Sequence, residues 1–240
     1  IVGELQDVRT WGEERNTLGD YSADNLDLHQ GFFDVGVGQR WSARVGRQEI
    51  PFGGERLMGS VGWTQQGRSF DAVRATLRVP DFTFDAFAAE LSEEAANSGD
   101  AAALLGIYAV TSRSSHNLDA FAFLERSIPA DLRQWTSGIR AHGLMRSLAD
   151  RFEGVTQLGR RSGERVRGWM LGVRLGHALP SGLGDVSLWY DHLSGDDTPG
   201  DDTVRTFGTL FATNHKFYGF ADLFLNIPRD TQGRGLQDMA

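Results

Sequence analysis

A chain of 240 residues with 24 Lys and Arg against 32 Asp and Glu carries a net charge of −8, so it lacks the basic surface that a nucleic-acid binder needs for phosphates. It has no cysteine, which excludes a disulfide framework, a thiolate metal centre and a cysteine nucleophile. No apolar run approaches the ~18 residues of a transmembrane helix, yet strands that alternate lipid-facing and lumen-facing residues average to a polar value, so a transmembrane barrel stays open.

The chain opens with the strand-like "IVGELQDVRTWG". Thirty glycines punctuate the sequence, and most segments between them alternate with period two rather than at helical spacing. "RWSARVGRQ" sets Trp41, Ala43 and Val45 against Arg40, Ser42, Arg44 and Gln48. "AVRATLRV" sets Val73, Ala75, Leu77 and Val79 against Arg74, Thr76 and Arg78. "LDAFAFLE" opposes Leu118, Ala120, Ala122 and Leu124 to Asp119, Phe121, Phe123 and Glu125, and Arg140 and Arg174 lie opposite the apolar phase of "QWTSGIRAHG" and "GWMLGVRLG". Successive strand residues point to opposite faces, so each strand meets two environments. The pattern predicts about eleven strands, over 1–11, 25–36, 40–50, 69–79, 82–91, 103–112, 118–127, 133–144, 151–160, 166–176 and 185–193. "AAELSEEAANSGDAAALL" is the one stretch that could hold a short helix, and the closing "GRGLQDMA" reads as the start of a further strand.

Connections 12–24, 51–68 and 194–233 are long, whereas "VGQ", "PD" and "SRSSHN" are tight. Alternate long and short hairpins suit an antiparallel transmembrane β-barrel with short periplasmic turns and longer extracellular loops. A soluble β-sandwich scatters its loop lengths more freely. No low-complexity linker divides the chain, so 1–240 reads as one domain. Eleven strands do not make an even-numbered barrel, so it reads as part of a larger barrel, incomplete at both ends.

"GRQEIPFGGERLMGSVGWTQQGRSFDAVR", Gly46 to Arg74, and "SGD", Ser194 to Asp196, followed by "TFGTLFATNHKFYGFADLF", resemble the signature hairpin and the late extracellular-loop motif of the alginate export family of outer-membrane barrels. The resemblance implies a monomeric porin-like channel in the outer membrane of a Gram-negative bacterium, with no cofactor. A polyanionic sugar polymer would pass outward down its gradient, delivered by a periplasmic complex. The polar "TNHK" centre and its aromatic flanks are then expected to form an ordered loop over the barrel mouth, with Asn214, His215 and Lys216 facing water or solute and Tyr218 among the packed aromatics.

A channel for uronates needs cations along its path, and arginine matches a carboxylate bidentately. Alternation nominates Arg40, Arg44, Arg74, Arg78, Arg140 and Arg174 for the lumen, with Asp85, Asp119, Glu125 and Asp191 neutralising part of that charge. The bland reading is an Arg–carboxylate ladder that only fills the interior. Arg47, Arg56 and Arg68 sit in the signature hairpin near the mouth, and an Arg68–Asp71 pair is expected to hold "GRSFD". Trp11, Trp41, Trp135 and Trp169 suit interfacial girdles, whereas Trp189 shares the Asp191 phase and suits sugar stacking inside. Asp196, Asp197, Asp201 and Asp202 in "DDTPGDD" are oxygen-rich enough for Ca²⁺ but lack EF-hand spacing, so a solvated acidic loop is expected. His215 has no second histidine at ligand spacing. No "GxSxG", "HExxH" or phosphate-cradling loop is present, so no enzyme is expected. A general small-solute porin and a soluble β-rich carbohydrate-binding protein are the alternatives.

Overall fold

The computed structural model describes residues 1–8, 25–62, 67–91, 102–111, 115–145, 147–219, 221 and 223–239. The strands are β1 (Val2–Val8), β2 (Asn25–Val37), β3 (Trp41–Gln48), β4 (Phe70–Val79), β5 (Phe82–Glu90), β6 (Ala102–Thr111), β7 (His116–Ser127), β8 (Leu132–Met145), β9 (Leu148–Arg161), β10 (Glu164–Ala178) and β11 (Asp185–Leu193). Then come β12 (Thr203–Val204), the helical turn α1 (His215–Tyr218) and β13 (Leu236–Met239). Each strand from β1 to β11 pairs antiparallel with the next, and β13 follows β11, so the sheet runs from β1 to β13 without closing. The short β12 pairs parallel with β10. All eleven expected strands are present within a few residues of their predicted ends, except that residues 9–11 of the first and 112 of the sixth lie outside the described residues. Trp11 and most of the segment read as a possible helix lie outside the described residues.

Alternation explains the two faces. On one, Phe33, Val35, Val45, Val73, Ile107, Ile139, Leu158 and Leu188 are each about half exposed or more. A continuous apolar face open to its surroundings is what a lipid-facing surface requires. Trp41 at the short-turn end, and Trp135 and Trp169 at the long-loop end, also point outward, as girdle residues do.

The opposite face is concave and packed. Phe52 reaches Arg74 on β4, while Arg56, four residues on, contacts Asp191 on β11. In a flat sheet those strands would stand ~34 Å apart, far more than the ~14 Å that four residues span. The sheet therefore curls around the β3–β4 connection. The β9–β10 hairpin turns on Ser162 and Gly163, both at positive φ, which matches the twist of its flanking strands.

Placing a charge on the outer face tests this assignment. Ile139, midway along β8, changed to Arg should destabilise folding into phospholipid vesicles by ~2–4 kcal/mol in urea titrations. A change within about 0.5 kcal/mol would instead mark that face as solvent-exposed.

Candidate functional site

The inner face is filled from the long-loop end by two segments distant in sequence. In the first, 49–62, Gly53 and Gly54 both adopt positive φ, and a Cβ on Gly53 would stand 3.0 Å from the Tyr108 hydroxyl. The glycines let the backbone press against the wall, and Phe52 stacks on Tyr108 with ring centres 4.5 Å apart. Phe87, Phe121 and Phe123 complete an aromatic cluster around it. The second segment spans 205–219. Gln157 on β9 holds it reciprocally, donating to the Gly208 carbonyl and accepting from the Gly208 N–H, both at 2.8 Å. Arg68 donates to the Gly59, Phe211 and Ala212 carbonyls and so fastens one segment to the other.

At the junction lies Arg56, only 1 % exposed. Its Nε is 3.1 Å from Glu153 on β9, its Nη2 is 3.0 Å from Asp191 on β11, and its Nη1 donates to the Tyr218 hydroxyl at 3.4 Å. The guanidinium also lies 4.4 Å from the Phe217 ring centre. Gly172 between the two acid-bearing strands leaves room, because a Cβ there would come within 2.8 Å of the Asp191 carboxylate. Burial pushes the Tyr218 hydroxyl up to about 12, so it stays protonated as a partner for the cation.

Most of the predicted lumen residues lie on the inner face, arranged in pairs. Arg44 forks onto Asp34 at 3.1 and 2.6 Å, Arg74 bonds Asp85 at 2.8 Å, and Arg140 bonds Asp119 at 3.0 Å. Arg78 and Arg174 reach hydroxyls instead, Ser42 at 3.2 Å and Ser187 at 3.3 Å. Arg40 sits in the exposed β2–β3 turn, and Glu125 lies on the inner face near the rim. One register row joins His142, Arg151, Arg174 and Trp189 across β8 to β11. Arg151 and Arg174 stand 4.7 and 4.5 Å from the Trp189 ring centre. Trp189 thus points inward on the short-turn side of Arg56. Arg174 is exposed to the lumen there, while the Arg151 guanidinium is held between Trp189 and Phe217, 4.7 and 5.5 Å from their ring centres, with its Nε and Nη2 buried.

Several expectations are corrected. Arg56 is a buried ion-pair centre rather than a mouth residue, because the loop that carries it turns into the barrel. Arg47 and Asp71 pair with each other at 2.7 and 3.1 Å on the outer face, since both continue the apolar phase of β3 and β4. The Arg68–Asp71 pair is therefore not formed. Asn214 is buried and donates to Thr209 Oγ1 and the Leu225 carbonyl, so it braces the loop rather than facing solute. On α1, His215 is half-buried and Lys216 exposed, with Lys216 Nζ 3.2 Å from Glu55. In the acidic loop, Asp196 and Asp201 are engaged by Arg205, at 3.4 and 2.8 Å. Asp197 and Asp202 belong to the same exposed stretch, and no metal-holding cluster occurs among the described residues.

Sequence reading misses Arg151, Glu153 and Gln157. They share one phase of β9, opposite Phe152, Gly154, Thr156 and Leu158, and that alternation is the available signal.

Two outcomes test the packing. Arg56→Met should strand two buried carboxylates and cost about 3–5 kcal/mol, seen as rapid proteolysis within 49–62. Adding Glu153→Leu and Asp191→Leu should recover most of that loss. In the acidic loop, the Arg205 hydrogen bond holds the Asp201 carboxyl down to about 2, helped by the Thr203 N–H and Thr198. A carboxyl lowered by folding stabilises above its unfolded value near 4 and loses that contribution as pH falls toward 2. Arg205 mobility, followed by side-chain NMR, should therefore rise between pH 4 and 2 and stay flat from pH 5 to 8.

Compared with known proteins, residues 1–225 match a family described as Alginate export. No curated protein matches the chain.

Proposed function

The chain belongs to the alginate export family, and from that premise we propose that it forms the wall of a passive channel whose inner arginines guide an anionic, alginate-like polysaccharide outward. Membership makes it a bacterial outer-membrane protein of a transport family rather than an enzyme family. The passive mechanism, the arginine path and the particular polymer are our reading.

The observation that carries this reading is the row of Arg151, Arg174 and Trp189 on the inner face. Neither arginine has a carboxylate within ion-pair distance among the described residues, in contrast to Arg44, Arg74 and Arg140. Two cations beside an indole suit a uronate chain, whose carboxylates take guanidinium hydrogen bonds and whose sugar faces stack on aromatic rings. Such contacts are exchangeable, as conduction demands, because each cation can pass a carboxylate to the next. The acid-capped arginines hold their rotamers and set the bore.

A second reading draws on that same ladder. Three neutralised Arg–Asp pairs leave modest net charge, which suits a small-solute porin of the same fold. In either reading the chain acts as one barrel domain, and we expect a monomer in outer-membrane lipid that meets a periplasmic export complex.

Planar-bilayer recordings separate the two. Arg151→Ala with Arg174→Ala should lower the anion-over-cation permeability ratio on the order of tenfold, at ~0.1 M salt or below. Block by polyuronate should weaken in parallel, while a neutral glucan leaves wild-type current untouched. Unselective current that ignores polyuronate would support the porin reading instead.

A further inference from the structure

The antiparallel register sets four arginines directly abreast on the outer face. Arg126 on β7 stands opposite Arg133 on β8, which stands opposite Arg160 on β9, which stands opposite Arg165 on β10. All four are exposed, and Arg167, two residues along β10, faces the same way. None forms an ion pair with a carboxylate among the described residues. Of the nearby acids, Asp202 lies beside the end of the row, where its carbonyl accepts the Arg165 N–H at 2.9 Å, without its carboxylate reaching ion-pair distance of any of the four. Asp131 accepts the Gly163 N–H and ties two turns together, while Asp71 and Glu90 lie in the same row beyond β6, with Asp71 taken by Arg47.

Like charges directly opposite on a sheet destabilise each other, and three such juxtapositions in succession need a counter-charge. The row lies at the same end as the long connections 49–69 and 194–235, the end that faces outward in barrels of this kind. There it stands at the edge of the lipid-facing band, because Trp135 and Leu158 lie two residues further down their strands, ~6.7 Å toward the bilayer centre, on the same face. Indole rings settle at head-group depth. The arginines just beyond them therefore reach the level of lipid phosphates. The four strands span ~14 Å, broad enough for a head group carrying more than one phosphate.

We propose that the Arg126–Arg133–Arg160–Arg165 row is a docking site for phosphorylated lipid of the outer leaflet, with guanidinium forks on the phosphates and Trp135 and Leu158 against the acyl chains. The site is on the outside of the barrel and works independently of what passes through it.

The test compares the full chain in detergent with a quadruple variant, Arg126→Gln, Arg133→Gln, Arg160→Gln and Arg165→Gln, and with the corresponding Arg→Lys variant. Native mass spectrometry reads retained lipid after titration with diphosphorylated lipid A, monophosphorylated lipid A, or phosphatidylethanolamine. Since each basic side chain near an anionic surface contributes measurably, the Gln variant should bind the diphosphorylated lipid roughly a hundredfold or more weakly. The Lys variant, which keeps the charge but not the forks, should bind between wild type and the Gln variant, and removing one phosphate should weaken binding to wild type more than to the Gln variant. Heat-modifiable gel migration confirms that both variants are folded barrels, and their ion selectivity should match wild type, which separates this site from the channel proposal. Equal retention of all three lipids, or unchanged binding in the Gln variant, would overturn the proposal. So would displacement of the lipid by inorganic phosphate or polyuronate at comparable concentration.

Discussion

A guanidinium withdrawn from water is stable only where carboxylates and hydrogen-bond acceptors surround it, and Arg56 meets that requirement by drawing the chain together. Glu153 and Asp191 come from β9 and β11, Tyr218 comes from the far loop, and Arg56 itself comes from the β3–β4 connection. The desolvation of one cation thus fixes where two long loops sit relative to the wall. The aromatic cluster around Phe52 adds apolar burial, each ring contributing on the order of 2 kcal/mol. That attraction has no direction. The ion cluster supplies the direction, because its geometry accepts only one placement of the loop.

Arginine appears here in three physical settings that composition cannot tell apart. Inside the loop–wall junction it is paired and dry. Along the inner face it is either paired with aspartate or left facing the lumen beside Trp189. On the outer rim it stands beside other arginines. The first setting gives rigidity, since an unpaired partner there is expensive. In the channel we propose, the second gives exchangeable contacts, and in the lipid site we propose, the third gives a surface potential toward the membrane. Whether an arginine shapes the fold or meets a solute depends on how many carboxylates the register places within reach.

The strands are legible because a two-sided environment imprints period two on the sequence, and their spans agree to within a few residues. Arg74, Arg78, Arg140 and Arg174 are assigned to the inner face on that basis alone. For Arg47 the motif indicates only nearness to the mouth, whereas phase gives the face: counting on from Trp41, Ala43 and Val45 puts it outside. Arg56 is illegible for a different reason. It lies in an irregular, glycine-led loop, where no period relates one side chain to the next and the partners are roughly a hundred residues or more distant. The mouth segment shows the same limit, since nothing local in "TNHK" reveals that Asn214 turns inward to brace a carbonyl. The outer arginine row is hidden too, because each member sits unremarkably in its own strand and only the pairing register aligns them.

The sequence distances within the loop junction bear on how the molecule assembles. Arg56 meets Asp191 across 135 residues and Tyr218 across 162, while Glu55 meets Thr213 across 158. The hairpins of the wall, by contrast, join neighbours in sequence and can zip sequentially. Contacts that close long loops carry the larger entropy cost and form late. The interior therefore remains open while the wall is being built, and is sealed only when the last third of the chain arrives. The wall's hairpins thus pass through a stage in which their inner face is still wet, before the 205–219 segment packs against it.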